Sequence, residues 1–237
     1  VQFMPNMNHK NSKIAEIMQK DEFRQALSLA LNREEMNQAF FFGMGVPYPV
    51  TAHSTSPYYK EEFQKYIEHD PEKAQNLLDK INVKDKDGDG YRELPDGSPL
   101  QLRVDFFAYR ERVPKIVEMA CSHWKKVGLN IDMKSLSFNL WNTRVKANEH
   151  DITLWTTDPT CPLTFPASYT GITNWVPMQP FPYYGAQWMK WSSWIETNGE
   201  EGQEPPKNIK KLVDWYKEAY HTADEPHRTE LIQKILM

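Results

Sequence analysis

Apolar residues in "DEFRQALSLALNREEMNQAFF" fall at Phe23, Ala26, Leu27, Ala30 and Leu31, the spacing of a helix with one buried face. Asn32 interrupts that pattern, and a second helix is expected from Arg33 until Gly43, Gly45 and Pro47 end it. Residues 46–60 then read as a Pro- and Ser-rich loop. "HDPEKAQNLLDKIN" predicts another helix, with Asp70 as N-cap and Pro71 in the first turn. In "SPLQLRVDFF" the period changes to two: Leu100, Leu102, Val104 and Phe106 alternate as a strand requires. "RERVPKIVEMACSHWKKVG" is a helix closed by Gly128, "LNIDMKSL" a second strand, "FNLWNTRVKANE" a short helix and "HDITLWTTD" a third strand. This βαβαβ order predicts an α/β fold with a parallel or mixed sheet flanked by helices.

Outside that unit the signals thin. Residues 158–208 carry little periodicity and are expected to be loops rich in aromatic residues, with "NGEEGQEPP" as an exposed turn. "KNIKKLVDWYKEAYHTAD" and "EPHRTELIQKILM" predict two closing helices. The opening "VQFMPNMNHK" alternates like a strand and lacks an initiator Met, while the last residues lie inside an amphipathic pattern. Both ends are therefore expected to be cut points in a longer protein.

Composition narrows the function classes. The 237 residues carry 28 basic and 32 acidic side chains spread along the chain, without the basic stripe that nucleic-acid binding requires. No run approaches the roughly 18 apolar residues of a membrane helix, and the first residues do not read as a signal peptide. Cys121 and Cys161 cannot form a metal site by themselves; two free thiols or one disulfide remain open. The unusual feature is eight Trp, five of them between Trp155 and Trp194 in a segment also rich in Pro and Tyr. Rings at that density must either be packed or be presented to something.

"KDKDGDGYRELPDG", from Lys84 to Gly97, fits the first half of a calcium loop: Asp85, Asp87 and Asp89 alternate and Gly90 follows. The twelfth position, where a bidentate Glu belongs, is Asp96, and the chain leaves as a strand instead of a helix. The expected reading is a turn and hairpin with no metal, the alternative being a cation held by Asp85, Asp87, Asp89 and Asp96. No cofactor is expected. Enzyme signatures are also missing: there is no G-x-S-x-G, phosphate loop, G-x-G-x-x-G or H-E-x-x-H, and no two of the seven His lie four residues apart. The expectation is that the protein is not an enzyme.

The order of segments resembles the second lobe of the oligopeptide-type (family 5) extracellular solute-binding proteins of ABC importers. The resemblance rests on "FRQALSLALNREEMNQAFFFGMGVP", on "DPEKAQNLL" leading into the "DGDGYRE…DG" turn, on "WKKVGLNIDMKSL" and on "HDITLWTTD". It implies that residues 1–237 form one lobe of a two-lobed, periplasmic-binding-protein-like receptor of type II character, with the first lobe and the returning segment outside this chain. It implies an extracytoplasmic location, a peptide or oligosaccharide solute, and ABC permease subunits as partners. An isolated lobe would expose the apolar face that its missing neighbour covers, with poor solubility or dimerisation as the consequence.

Ligands of open α/β sheets meet the loops at the carboxyl ends of the strands. Two such loops follow clear strands: one places Tyr109, Arg110 and Arg112, the other Trp155, Thr156, Thr157 and Asp158. The second corresponds to a cleft-bordering family segment, often "LWGWxxDYPDP", although this chain lacks its second aromatic residue and its tyrosine. Structural alternatives stay open: Trp155 as a cap on the core, Asp158 as a turn residue before Pro159, Arg110 and Arg112 as solvated helix-start residues. Trp188, Trp191 and Trp194 are spaced by three, and at least two of them are expected in the core. The Trp content favours sugar slightly, whereas peptide is the commoner family cargo. A protein–protein interaction module using the aromatic loops is the rival reading.

Overall fold

The computed structural model describes residues 1–49, 51–52, 54–155, 175–179 and 186–237. Apart from the first two residues, the chain divides into two compact units. One contains Phe3–Tyr48 and Lys65–Trp155; the other contains Pro49–Gln64 and Thr156–Met237.

The first unit is built on a four-stranded sheet of β1 (Gln2–Pro5), β2 (Gln101–Phe106), β3 (Asn130–Ser135) and β4 (Ile152–Trp155), in the order β1-β4-β2-β3. β2 pairs in parallel with β3 on one side and with β4 on the other, with Leu102 opposite Ile131 and Val104 opposite Ile152. Helices α1 (Ser12–Gln19), α2 (Asp21–Leu29), α3 (Arg33–Phe41) and α4 (Pro71–Lys80) lie between β1 and β2; α5 (Val113–Lys126) links β2 to β3 and α6 (Phe138–Lys146) links β3 to β4. Because β4 lies on the far side of β2 from β3, the last connection passes over β2. The carboxyl ends of β2 and β4 are thereby made neighbours, the place where α/β sheets offer a crevice.

The predicted βαβαβ order is present, and the period of two explains its faces. Leu102, Val104 and Phe106 enter a core with Ile131, Ile152, Val117, Trp124, Phe23 and Leu78, all buried. The Trp124 indole N–H donates to the Leu27 carbonyl at 2.9 Å, tying α5 to α2. Helix starts follow their caps: Asn32 accepts from the Glu35 amide, and Asp70 accepts from the Lys73 amide with Pro71 in the first turn. α1 had no counterpart in the sequence pattern. It is short, is capped by Asn11 and buries only Ile17 and Met18. Cys121 is a free, buried thiol whose pKa burial pushes up to about 12, so it is unreactive at neutral pH. Cys161 lies outside the described residues.

After α3 the loop is braced and not loose. The Asn37 side chain donates to the Gly45 carbonyl at 2.8 Å and accepts the Gly45 amide at 2.9 Å. A Cβ on Gly45 would stand 2.7 Å from the Asn37 oxygen, so glycine is required there by close approach. This loop carries Phe42, Met44 and Val46, each more than 80% exposed.

The second unit holds α7 (Ala186–Glu196), α8 (Lys207–His221) and α9 (Glu225–Leu236). α8 and α9 are the two predicted closing helices, and Val213, Ala219, Leu231, Ile232 and Ile235 pack with Tyr58 and Val176 in a core of their own. Two expectations need correction. Residues 158–208 are not all loop: α7 occupies Ala186–Glu196, and its one buried residue is Ser192, whose single hydroxyl proton is shared between the Gln179 and Trp188 carbonyls at 2.7 and 2.9 Å. Trp188, Trp191 and Trp194 are half-buried, and none joins the buried core formed by the described residues, where the polar Ser192 is the buried position of α7. Trp188 and Trp191 instead contact each other, and Lys210 sits over Trp194. The "NGEEGQEPP" turn lies close on α7, with the Gln203 amide on the Lys190 carbonyl at 3.0 Å.

Phe106→Ala should cost about 3–5 kcal/mol, since it empties a fully buried site at the centre of the sheet. Asp70→Ala should cost only about 1 kcal/mol, the worth of an exposed N-cap. Urea unfolding of the two variants against the parent chain checks the ratio.

Candidate functional site

Odd-numbered residues of β2 and β4 face away from the main core, towards α6. There Asp105 is 1% exposed, and both of its carboxylate oxygens are taken. Arg103 donates from Nε to Oδ1 at 2.6 Å and from Nη2 to Oδ2 at 3.2 Å; Arg144 of α6 donates from Nε to Oδ2 at 2.8 Å. Thr153 stands opposite Asp105 in the register and donates its hydroxyl to the Asp105 carbonyl at 2.9 Å. The same hydroxyl accepts the Trp141 indole N–H at 2.7 Å. A carboxylate so fully engaged is structural and cannot serve as a general base.

Beyond this polar layer, at the carboxyl end of the same face, lies an aromatic cup. Trp155 ends β4, Phe107 and Tyr109 follow β2, and Phe138 and Trp141 occupy the first turn of α6. Trp141 and Trp155 are stacked, with centroids 5.5 Å apart and planes 13° from parallel. Phe107 sits among them, 4.9 Å from Trp141, 5.5 Å from Trp155 and 5.0 Å from Phe138. Tyr109 lies 5.5 Å from Phe107 and 6.1 Å from Trp155. Offset and edge contacts at these separations are the favourable aromatic arrangements. The Tyr109 hydroxyl is buried with no hydrogen-bond partner among the described residues, and burial raises its pKa. Trp141 is fully buried, whereas Phe138 is 45% exposed at the rim.

Two of the predicted site residues, Tyr109 and Trp155, are thus brought together. Arg110 and Arg112 are exposed, and Arg112 lies over the Phe41 ring at 4.9 Å. Thr156, Thr157 and Asp158 lie outside the described residues. The cup also includes Phe107, Phe138 and Trp141, which the sequence reading did not select. Their signal was the odd parity of Phe107 with Arg103 and Asp105, together with the three-residue spacing of Phe138 and Trp141.

Buried beside the ionic layer is His150, 3% exposed, whose Nδ1 has no partner among the described residues. Burial pushes its pKa down to about 4, although Asp105 pulls the other way. The group is neutral in the fold, so its contribution is fully present above the ordinary His value of 6.5. It is lost as pH falls from there towards 4, by about 3 kcal/mol in total. Urea unfolding between pH 7.5 and 4 should show a decline that is smaller by that amount in His150→Gln.

The acidic stretch lies apart from the cup. Carboxylate oxygens of Asp85, Asp87, Asp89 and Glu93 lie within 4.8 Å of one another, so Glu93, not Asp96, completes the group. Asp96 pairs with Lys13 and accepts the Ser98 amide. The clustered carboxylates cap their own turn: Asp85 accepts the amides of Gly88 and Gly90 at 2.7 and 3.0 Å, and Asp89 accepts the Tyr91 amide at 2.7 Å. Glu93 Oε2 accepts the Lys86 amide at 2.7 Å. Isolated antiparallel bridges join Lys84 to Glu93 and Glu93 to Pro99, the second closing a short hairpin around the expected Pro95–Gly97 turn. Millimolar calcium should leave the melting temperature unchanged within about 1 °C; a rise of several degrees would assign the group to a cation.

The sequence profile of the bacterial extracellular solute-binding proteins, family 5 middle region, matches residues 2–176. The chain belongs to this family. It is 30% identical over 148 residues to an oligopeptide-binding protein, OppA, of Lactococcus lactis subsp. lactis, an alignment covering 57% of this chain and 24% of that protein. It is 32% identical over 132 residues to a periplasmic alpha-galactoside-binding protein of Rhizobium meliloti, covering 52% and 18% respectively. A solved structure of an oligopeptide-binding protein OppA superposes with a TM-score of 0.81 at 30% identity, covering 99% of this chain and 38% of that one. The chain therefore spans between about a fifth and a third of the length of the curated relatives it matches. Family membership places it among binding proteins and agrees with the α/β fold found.

Proposed function

We propose that this chain is the second lobe of an extracytoplasmic solute-binding protein, which captures an oligopeptide or an oligosaccharide and delivers it to the permease of an ABC importer. The observation that carries the reading is the aromatic cup at the adjacent carboxyl ends of β2 and β4, in a chain of this family. Tyr109, Arg110 and Trp155 would meet the solute, together with Thr156, Thr157 and Asp158, which follow Trp155 in the sequence. Aromatic faces give affinity by burying the apolar face of a ring or side chain, and hydroxyl and guanidinium groups orient what is bound. A first lobe closing from the other side would supply the remaining contacts, the hinge closure common to such receptors. Relatives named for oligopeptide and for alpha-galactoside binding support both cargo classes.

The test is a thermal-shift screen of the complete gene product against short peptides and against α- and β-linked oligosaccharides. A bound solute should raise the melting temperature with the logarithm of its concentration. Trp155→Ala should weaken the responding solute by about tenfold or more, as loss of a central aromatic anchor does. If neither panel shifts the transition, the receptor reading fails.

A further inference from the structure

We propose that Trp141, which is fully buried, is a positioning residue for the solute site: it sets the pitch of the Trp155 ring through a hydrogen-bond chain anchored on the β2 backbone. The inference rests on the solute-binding reading of Trp155 given above.

Trp141 is 0% exposed, so it can act on a solute only through its neighbours. Its indole is fixed on several sides. The N–H donates to the Thr153 hydroxyl at 2.7 Å, and that hydroxyl donates onward to the Asp105 carbonyl at 2.9 Å. A hydroxyl has one proton and two lone pairs, so it can hold both bonds together. Thr153 is itself 0% exposed and is placed by the β2–β4 register. Phe107 packs against the ring at 4.9 Å and Phe138 at 5.9 Å. One face remains, and it carries Trp155, nearly parallel at 13°. A rotated Trp141 would leave a buried N–H without an acceptor, which strongly disfavours rotation. Trp155 therefore rests on a plate whose tilt is set by strand register, and a binding platform held in this way is preorganised.

The decisive variant is Thr153→Val, which keeps the shape and suits a buried strand but removes the acceptor. Thr153→Ser restores the hydroxyl. Stacked indoles couple in the far-ultraviolet circular dichroism spectrum. Trp155→Phe identifies which part of the signal belongs to this pair, since Trp188 and Trp191 also lie 6.0 Å apart. In the complete gene product, Thr153→Val should change the pair's couplet and weaken the best solute of the peptide and oligosaccharide panels by about tenfold, measured well below the melting temperature. Thr153→Ser should keep both. Trp141→Phe, which retains a ring but loses the N–H, should weaken binding similarly and serves if Thr153→Val does not fold. An unchanged couplet in Thr153→Val, or a changed couplet with wild-type affinity, overturns the positioning role while leaving the solute site intact. A wild-type protein that binds neither panel overturns the solute site, and the role of Trp141 falls with it.

Discussion

A single buried carboxylate governs how this sheet is covered. Asp105 sits in the central strand with almost no exposure, and a charge in that position is tolerated only when paired and hydrogen-bonded. Arg103, two residues away on the same face, supplies one guanidinium. The second must come from elsewhere, and Arg144 brings it from α6. That requirement fixes where α6 lies and how it is rotated. Three residues before Arg144, Trp141 is carried over Thr153; three residues earlier again, Phe138 reaches the rim. Removing one member of such a set typically costs about 3–5 kcal/mol, because an uncompensated charge remains. The cup inherits its geometry from the ion pairs beneath it.

The same face shows how a polar layer extends through the unit. Asp151, just before β4, accepts the Arg103 amide at 2.8 Å and pairs with His9 at 2.9 Å. Asn6 donates to the His150 carbonyl at 2.8 Å, so the segment after β1 is stitched to the approach to β4. The apolar face of the sheet needs no such direction, since close packing of Leu102, Val104 and Phe106 satisfies it. One face is therefore held by volume and the other by hydrogen-bond geometry. Only the second can fix the orientation of an individual ring.

What could be read in the sequence follows from this contrast. β2, α4, α5 and α8 were legible because each has one apolar and one polar face, and periodicity reports burial on one side. α7 was not, because its rings are only half-buried and its inward residue is a serine. Tyr109 and Trp155 were legible because strand ends in an α/β sheet are where ligands meet loops. Phe107, Phe138 and Trp141 were not, because their meeting depends on the strand order β4-β2-β3 and on α6 crossing the polar face. By alternation alone Asp105 reads as a solvent-facing position. Its burial is a tertiary fact, and the ring cluster above it is one too.

The acidic turn and the cup show opposite uses of polar groups. In the turn, Asp85, Asp87 and Asp89 accept amides of their own loop and so order the turn themselves. Around the cup, the charges of Arg103, Asp105 and Arg144 are consumed by one another. Of the charged side chains next to the rings, Arg110 is exposed and makes no ion pair among the described residues. Among the described residues, this end of the sheet therefore offers ring faces and the exposed Arg110 guanidinium. If this end of the sheet meets the solute as proposed, its rings would take the apolar face of a sugar or an apolar side chain of a peptide, and Asp158, outside the described residues, is the carboxylate that would meet an ammonium. The buried network that shapes the cup thus spends the charges of Arg103, Asp105 and Arg144 on one another and leaves none of the three for a solute.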